Sequence, residues 1–136
     1  MLIEWSDELL LGVEKMDSTH REFVEQLNAL GLAGDAALLG GLDAFIAHTV
    51  EHFAQENLWM ESMEFPPIHC HKEEHEGVLA IMREVRGMVA GGKPELGRVL
   101  VRELAPWFTN HAATMDAMLA VFIKEKGFDT EAVPAG

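Results

Sequence analysis

Apolar residues recur at spacings of three and four along most of the chain, the mark of helices that bury one face. His20, Phe23, Val24, Leu27 and Leu30 form the first such stripe, and Asp17 stands before it as a predicted N-cap. Residues 1–16 carry Trp5, Leu9, Leu10, Leu11 and Val13 in no helical order, which predicts an extended arm lying over the core. After Gly31 and Gly34 a second stripe runs Phe45, Thr49, His52, Glu56, Met60 and Met63, widened by Ile46, Phe53 and Trp59. Gly40 and Gly41 leave its start open, near Asp35 or Asp43. Pro66 and Pro67 end it, since proline cannot continue the ladder of backbone hydrogen bonds. The third stripe is a heptad series, Ile68, His71, His75, Val78, Met82, Val85 and Val89, closed by Gly91 and Gly92. The fourth helix is expected from about Pro94 to Lys126, with Leu100, Leu104, Trp107, His111, Met118 and Val121 on its face. Pro106 inside it predicts a kink one turn before His111. The whole reads as an all-α, antiparallel up-down four-helix bundle over residues 17–127, with the arm before it and a short tail after it.

Polar residues interrupt these stripes where a core should be driest. His20, His52, Glu56, His71, His75 and His111 all fall on inward faces, and they come from all four predicted helices. His52 with Glu56, and His71 with His75, stand at i, i+4, a turn of about 400° that returns to the same face. Asp116 lies five residues after His111, about 140° around a regular helix. It joins the group only by reaching in from the flank or through a π-type turn.

Composition narrows the surroundings. With 136 residues the chain is expected to be one domain with a real core. A net charge of -13 argues against nucleic acid or an anionic membrane as partner, because both need clustered Lys and Arg. No apolar run approaches the roughly 20 residues of a membrane span. The first residues, MLIEWSDELLL, show neither a basic leader nor a small-residue cleavage site, so a cytoplasmic location is expected. Cys70 is the single cysteine, which rules out an internal disulfide.

The seven histidines are what the composition leaves to explain. Burying five imidazoles and two carboxylates costs several kcal/mol for each group left without a partner, and a metal that ligates them removes that cost. These donors exceed one tetrahedral zinc. They suit two six-coordinate ions sharing two bridging carboxylates, with one coordination place left over. Iron fits best on that count, and manganese satisfies the same donors.

Four segments then carry a specific resemblance: WSDELLLGVEKMDSTHREF around His20, HFAQE from His52 to Glu56, HKEEH from His71 to His75, and WFTNHAATMD from Trp107 to Asp116. In kind and order they resemble the hemerythrin family, among it the single-domain bacterial members, over most of the chain. The resemblance implies a four-helix bundle around a non-haem di-iron centre. His71, His75 and His111 would hold one iron, and His20 and His52 the other. Glu56 and Asp116 would bridge both, alongside an oxo or hydroxo group. The iron with two histidines keeps an open place, where dioxygen binds in the family. Phe23, Phe53, Trp107, Phe108 and Ala112 are expected to wall that pocket. Ala112 departs from the family pattern, which usually has a larger aliphatic residue there, and Pro106 is also unusual.

The function so implied is reversible dioxygen binding for storage, transport or scavenging, in a binding protein rather than an enzyme, and compatible with a monomer. The alternatives are a sensing module read by a separate partner, peroxide or nitric oxide chemistry at the two irons, and iron donation. HKEEH also fits the H-x-x-E-H zinc hydrolase signature, with Glu74 as general base, but that leaves His20, His52, Glu56, His111 and Asp116 unexplained. The ferritin-like Glu-x-x-His pattern is absent. His48, His69 and Cys70 are expected at the surface.

Overall fold

The computed structural model describes residues 1–131. Of the C-terminal tail, residues 132–136 lie outside the described residues. Helix α1 spans Glu14–Leu32, α2 Asp35–Ser62, α3 Ile68–Ala90 and α4 Pro94–His111. A π-helical segment, Ala112–Asp116, joins α4 to α5, Ala117–Lys126, and these three form the fourth rod. The rods pack around a square, α1 against α2 and α4, and α3 against α2 and α4. Ion pairs show the antiparallel direction: Asp43 early in α2 binds Arg86 late in α3 at 2.7 Å, and Glu61 late in α2 pairs with Lys72 early in α3. No helix among the described residues is long and apolar enough to cross a membrane.

Local chemistry sets the breaks. Helix α2 ends at Ser62, before the prolines, where Glu64 takes a left-handed φ of 53° and the Phe65 N–H donates to the Met60 carbonyl. That six-to-one bond closes the end as a Schellman-type cap, and Pro66 and Pro67 occupy the turn beyond it. Helix α2 begins at the earlier of the two expected starts, Asp35, and Gly40 and Gly41 lie inside it. A Cβ on Gly41 would come within 2.7 Å of Leu30 Cδ2, so the bare glycine lets α1 and α2 approach closely. Helix α4 continues through Pro106 to His111.

Two expectations need correction. Asp17 is not the N-cap of α1, because that helix starts at Glu14 with Val13 as its cap, so the arm ends at residue 13 rather than 16. Gly12, at φ 82°, turns the chain early, and Asp17 closes the turn from inside the helix by accepting the N–H groups of Leu11 and Gly12 at 2.7 and 3.2 Å. Met118 and Val121 are 57% and 51% exposed, and Leu119, Ala120 and Ile123 are buried in their place. The π segment holds one extra residue per turn, so the apolar stripe resumes one position later than a heptad count gives.

The arm is extended except for a single 3₁₀ turn at Asp7–Leu9. Ile3 and Val13 are buried while Leu10 faces solvent. The Asn28 amide fixes its start, accepting from the Leu2 and Ile3 N–H groups at 2.9 and 3.0 Å and donating to the Ile3 carbonyl at 2.8 Å.

Buried apolar side chains form two clusters. One gathers Phe23, Leu27, Phe45, Phe53, Val78, Met82, Leu104 and Phe108, and the other Met16, Trp59, Met60, Phe65, Leu119 and Ile123. Along the chain the inward polar residues fall at or beside the boundary between the two clusters. His20 lies between Met16 and Phe23, Glu56 between Phe53 and Trp59, His71 and His75 between Phe65 and Val78, and Asp116 between Ala112 and Leu119. A polar layer therefore crosses the bundle with apolar packing on both sides.

Asn28→Ala removes all three arm hydrogen bonds, and the expected cost is about 1–3 kcal/mol in denaturant unfolding, with loss of amide-exchange protection at Leu2 and Ile3. Unchanged protection there would show that Asn28 does not hold the arm.

Candidate metal centre

Each rod contributes to the polar layer: His20 from α1, His52 and Glu56 from α2, His71 and His75 from α3, and His111 and Asp116 from the fourth. All are buried, His52 the least so at 6% exposure. Regular α-helix delivers the i, i+4 pairs. The π segment delivers Asp116, whose Oδ1 lies 3.2 Å from His111 Nε2 despite the five-residue spacing.

The two carboxylates divide the histidines into two sets. Glu56 Oε2 lies 2.9 Å from His52 Nε2 and 3.9 Å from His20 Nε2, whereas its Oε1 lies 3.3 and 3.1 Å from the Nε2 atoms of His71 and His75. Asp116 repeats the division, with Oδ2 at 3.0 Å from His20 and Oδ1 at 3.0 Å from His71. Each carboxylate thus offers one oxygen to a three-histidine set and the other to a two-histidine set. Donor atoms of Glu56, His71, His75, His111 and Asp116 all lie within 4.8 Å of one another, as do those of His20, His52 and Glu56.

Many of these atoms are buried without a hydrogen-bond partner, among them Nε2 of His20, His71, His75 and His111, Glu56 Oε1 and both Asp116 oxygens. Nitrogen and oxygen come close, yet these atoms do not meet in hydrogen-bond geometry. Such orphaned donors are costly in an apolar bundle unless cations occupy the space between them. Imidazole and carboxylate together suit first-row transition metals.

Charge is strongly held here. Burial disfavours a charged His20, but the Asp116 and Glu56 carboxylates beside it prevail and raise its pKa from 6.5 to about 9. His71 follows the same balance, also to about 9. His111 is raised against its burial, chiefly by Asp116, whereas burial dominates at His75 and lowers it. Burial would raise both carboxyl groups, but the imidazoles around them, His52 foremost for Glu56 and His111 for Asp116, keep Glu56 and Asp116 below the usual carboxylate range.

Outside the donors, two imidazoles of the three-histidine set are held on two sides each. Phe53 stacks on His75 with ring centroids 3.8 Å apart, and the His75 Nδ1 lies 3.1 Å from Asn57 Oδ1. Trp107 stacks on His111 at 4.7 Å, and the His111 Nδ1 lies 2.7 Å from Glu74 Oε1. Glu74 thus binds the outer nitrogen of His111 rather than joining the cluster of donors. Phe108 presents to His20 edge-on at 5.1 Å, and Phe23 stacks behind Phe108 at 4.5 Å. Of the five expected pocket residues, Phe23, Phe108 and Ala112 are buried with Phe53, and Trp107 is half-buried against His111. His69 and Cys70 are exposed in the first turn of α3, and His48 is half-buried, paired with Glu22 at 2.8 Å. Sequence patterning missed Glu74 and Asn57 as supports. The available signal was their place beside ligand positions, each one residue from His75 or Glu56.

Comparison with known proteins agrees with this geometry. The family model described as Hemerythrin HHE cation binding domain matches residues 11–123. The chain belongs to the hemerythrin family. A bacteriohemerythrin of Ralstonia nicotianae is 48% identical over 94% of this chain and 93% of that protein, and one of Stenotrophomonas maltophilia is 31% identical over 90% and 82%. A crystal structure of a hemerythrin variant superposes with a TM-score of 0.81 at 22% identity, covering 89% of this chain and 96% of that one, which shows the shared fold. The hemerythrin resemblance and the helical bundle read from the sequence are both borne out.

The pKa shifts fix the sign of a pH dependence. His20 and His71 bind a proton more tightly folded than unfolded, so their stabilising contribution is full below pH 6.5 and is lost as pH rises through about 9. Metal competes with those same protons. The metal-free protein is expected to lose thermal stability as pH is raised through this window, while metal-loaded protein changes less. A metal-free Tm that stays level or rises between pH 6.5 and 9 would contradict charged imidazoles in the layer.

Proposed function

We propose that this hemerythrin-family chain binds dioxygen reversibly at a non-haem di-iron centre. In this reading His71, His75 and His111 hold one iron, His20 and His52 hold the other, and Glu56 and Asp116 bridge them beside an oxo or hydroxo group. The observation that carries it is the division of oxygens. Both carboxylates turn one oxygen to each histidine set, and one set has a histidine fewer. The set of His20 and His52, one imidazole short, would therefore be the side with an open place for dioxygen. A di-iron pair held there would supply the two electrons that reversible dioxygen binding needs.

The protein's own contribution is exclusion and orientation. Phe108 and Phe23 lie on the His20 side, and Phe53 lies 5.5 Å from the His52 ring. Apolar walls keep water and solvent protons from the open place, which favours release of dioxygen over its further reduction. That wall supports a binding protein over an enzyme of peroxide or nitric oxide chemistry. Ala112, 4% exposed, belongs to the same core and offers less bulk than a longer aliphatic side chain.

Anaerobic iron loading followed by cycles of oxygen and vacuum is expected to give two irons per chain and a visible charge-transfer band that appears and disappears reversibly. Irreversible bleaching with consumption of a substrate would transfer the site to enzymes. A variant with Ala112→Leu is expected to autoxidise more slowly than wild type, measured as decay of that band, and equal rates would remove Ala112 from the pocket wall.

A further inference from the structure

The two halves of the centre are not supported alike. In the three-histidine half, Glu74 Oε1 accepts from His111 Nδ1 at 2.7 Å and Asn57 Oδ1 accepts from His75 Nδ1 at 3.1 Å. Each bond places the imidazole proton on Nδ1 and leaves the Nε2 lone pair facing inward. His71 Nδ1 is buried without such a partner, so two of the three rings are held. In the other half, the Nδ1 atoms of both His20 and His52 are buried without a hydrogen-bond partner, and His52 engages Glu56 through Nε2 at 2.9 Å. Nothing among these bonds holds either ring in the metal-binding tautomer.

Glu74 reaches His111 because of its place on α3. His71 and His75 share the inward face, and Glu74, one residue before His75, is turned about 100° from it, toward the neighbouring fourth rod. Its side chain keeps 30% exposure while the imidazole it meets keeps 2%. A carboxylate in this position fixes ring orientation and makes the far nitrogen a stronger donor, which a neutral amide such as Asn57 does only in part.

We propose that Glu74 is a positioning residue that sets His111 for metal and, with Asn57, makes the three-histidine half the tighter position, filled first. The inference rests on the di-metal reading above. It assigns an order of loading: the first ion enters the prepared half, and the second enters the half formed by His20 and His52.

Titration of metal-free protein with Co(II), followed by absorption and calorimetry, tests it. Wild type is expected to bind in two resolved steps, together two equivalents. Glu74→Ala is expected to weaken the tighter step by about 10- to 100-fold and to leave the weaker step nearly unchanged. Glu74→Gln keeps an acceptor and is expected to recover part of that loss, which a merely structural role would not produce. His52→Ala is expected to abolish the weaker step alone, locating the tighter one in the other half. A tighter step unmoved by Glu74→Ala, or equal weakening of both steps, overturns the assignment while the di-metal reading stands. A wild-type titration that ends at one equivalent overturns both.

Discussion

Two buried carboxylates shared between two sets of imidazoles are the constraint on which this protein depends. Glu56 and Asp116 are almost fully buried, and each faces histidines on both sides. A charge left unpaired in an apolar bundle is strongly destabilising. The requirement draws all four rods to one level, because the donors come from all four. The apolar clusters on either side do the ordinary work of folding, and they also isolate the layer from water, which strengthens every electrostatic contact within it.

The division of the core into two clusters follows from that layer. A bundle with a continuous apolar interior could slide or rotate its rods by a turn at modest cost. Here a shift by one turn would bring Met16 or Phe23 to the level of Asp116 and move His20 into the hydrocarbon. The polar layer therefore fixes register as well as chemistry, and the supporting contacts from Phe53, Asn57, Trp107 and Glu74 carry the specification outward from the donors.

Much of this was legible in the chain itself. The three- and four-residue spacings predict the rods, and the polar interruptions His20, His52, Glu56, His71, His75 and His111 come together where those stripes place them. Asp116 was ambiguous for a physical reason, since helical periodicity assumes a constant turn and the π segment breaks it. The same break displaced the expected burial of Met118 and Val121. The start of α1 was misplaced because Asp17 resembles a cap in sequence while bonding backward to Leu11 and Gly12 in space. Glu74 and Asn57 were not legible as supports, because a polar residue flanking an inward position looks like solvated surface until its neighbour on another rod is known.

The π segment has a further consequence for anyone who would move this centre into another protein. Its extra residue swings the bridging carboxylate inward and, by the same act, delays the hydrophobic stripe of everything after it, so that Leu119 and Ile123 carry the packing. The two effects cannot be separated by substitution. A grafted His-x₄-Asp segment in an unbroken heptad helix would either aim the carboxylate away or turn the downstream core face to solvent. The phase slip is thus a property the host helix must be built around, and a one-position offset after such a segment is a mark by which equivalent centres can be sought in sequences of unknown structure.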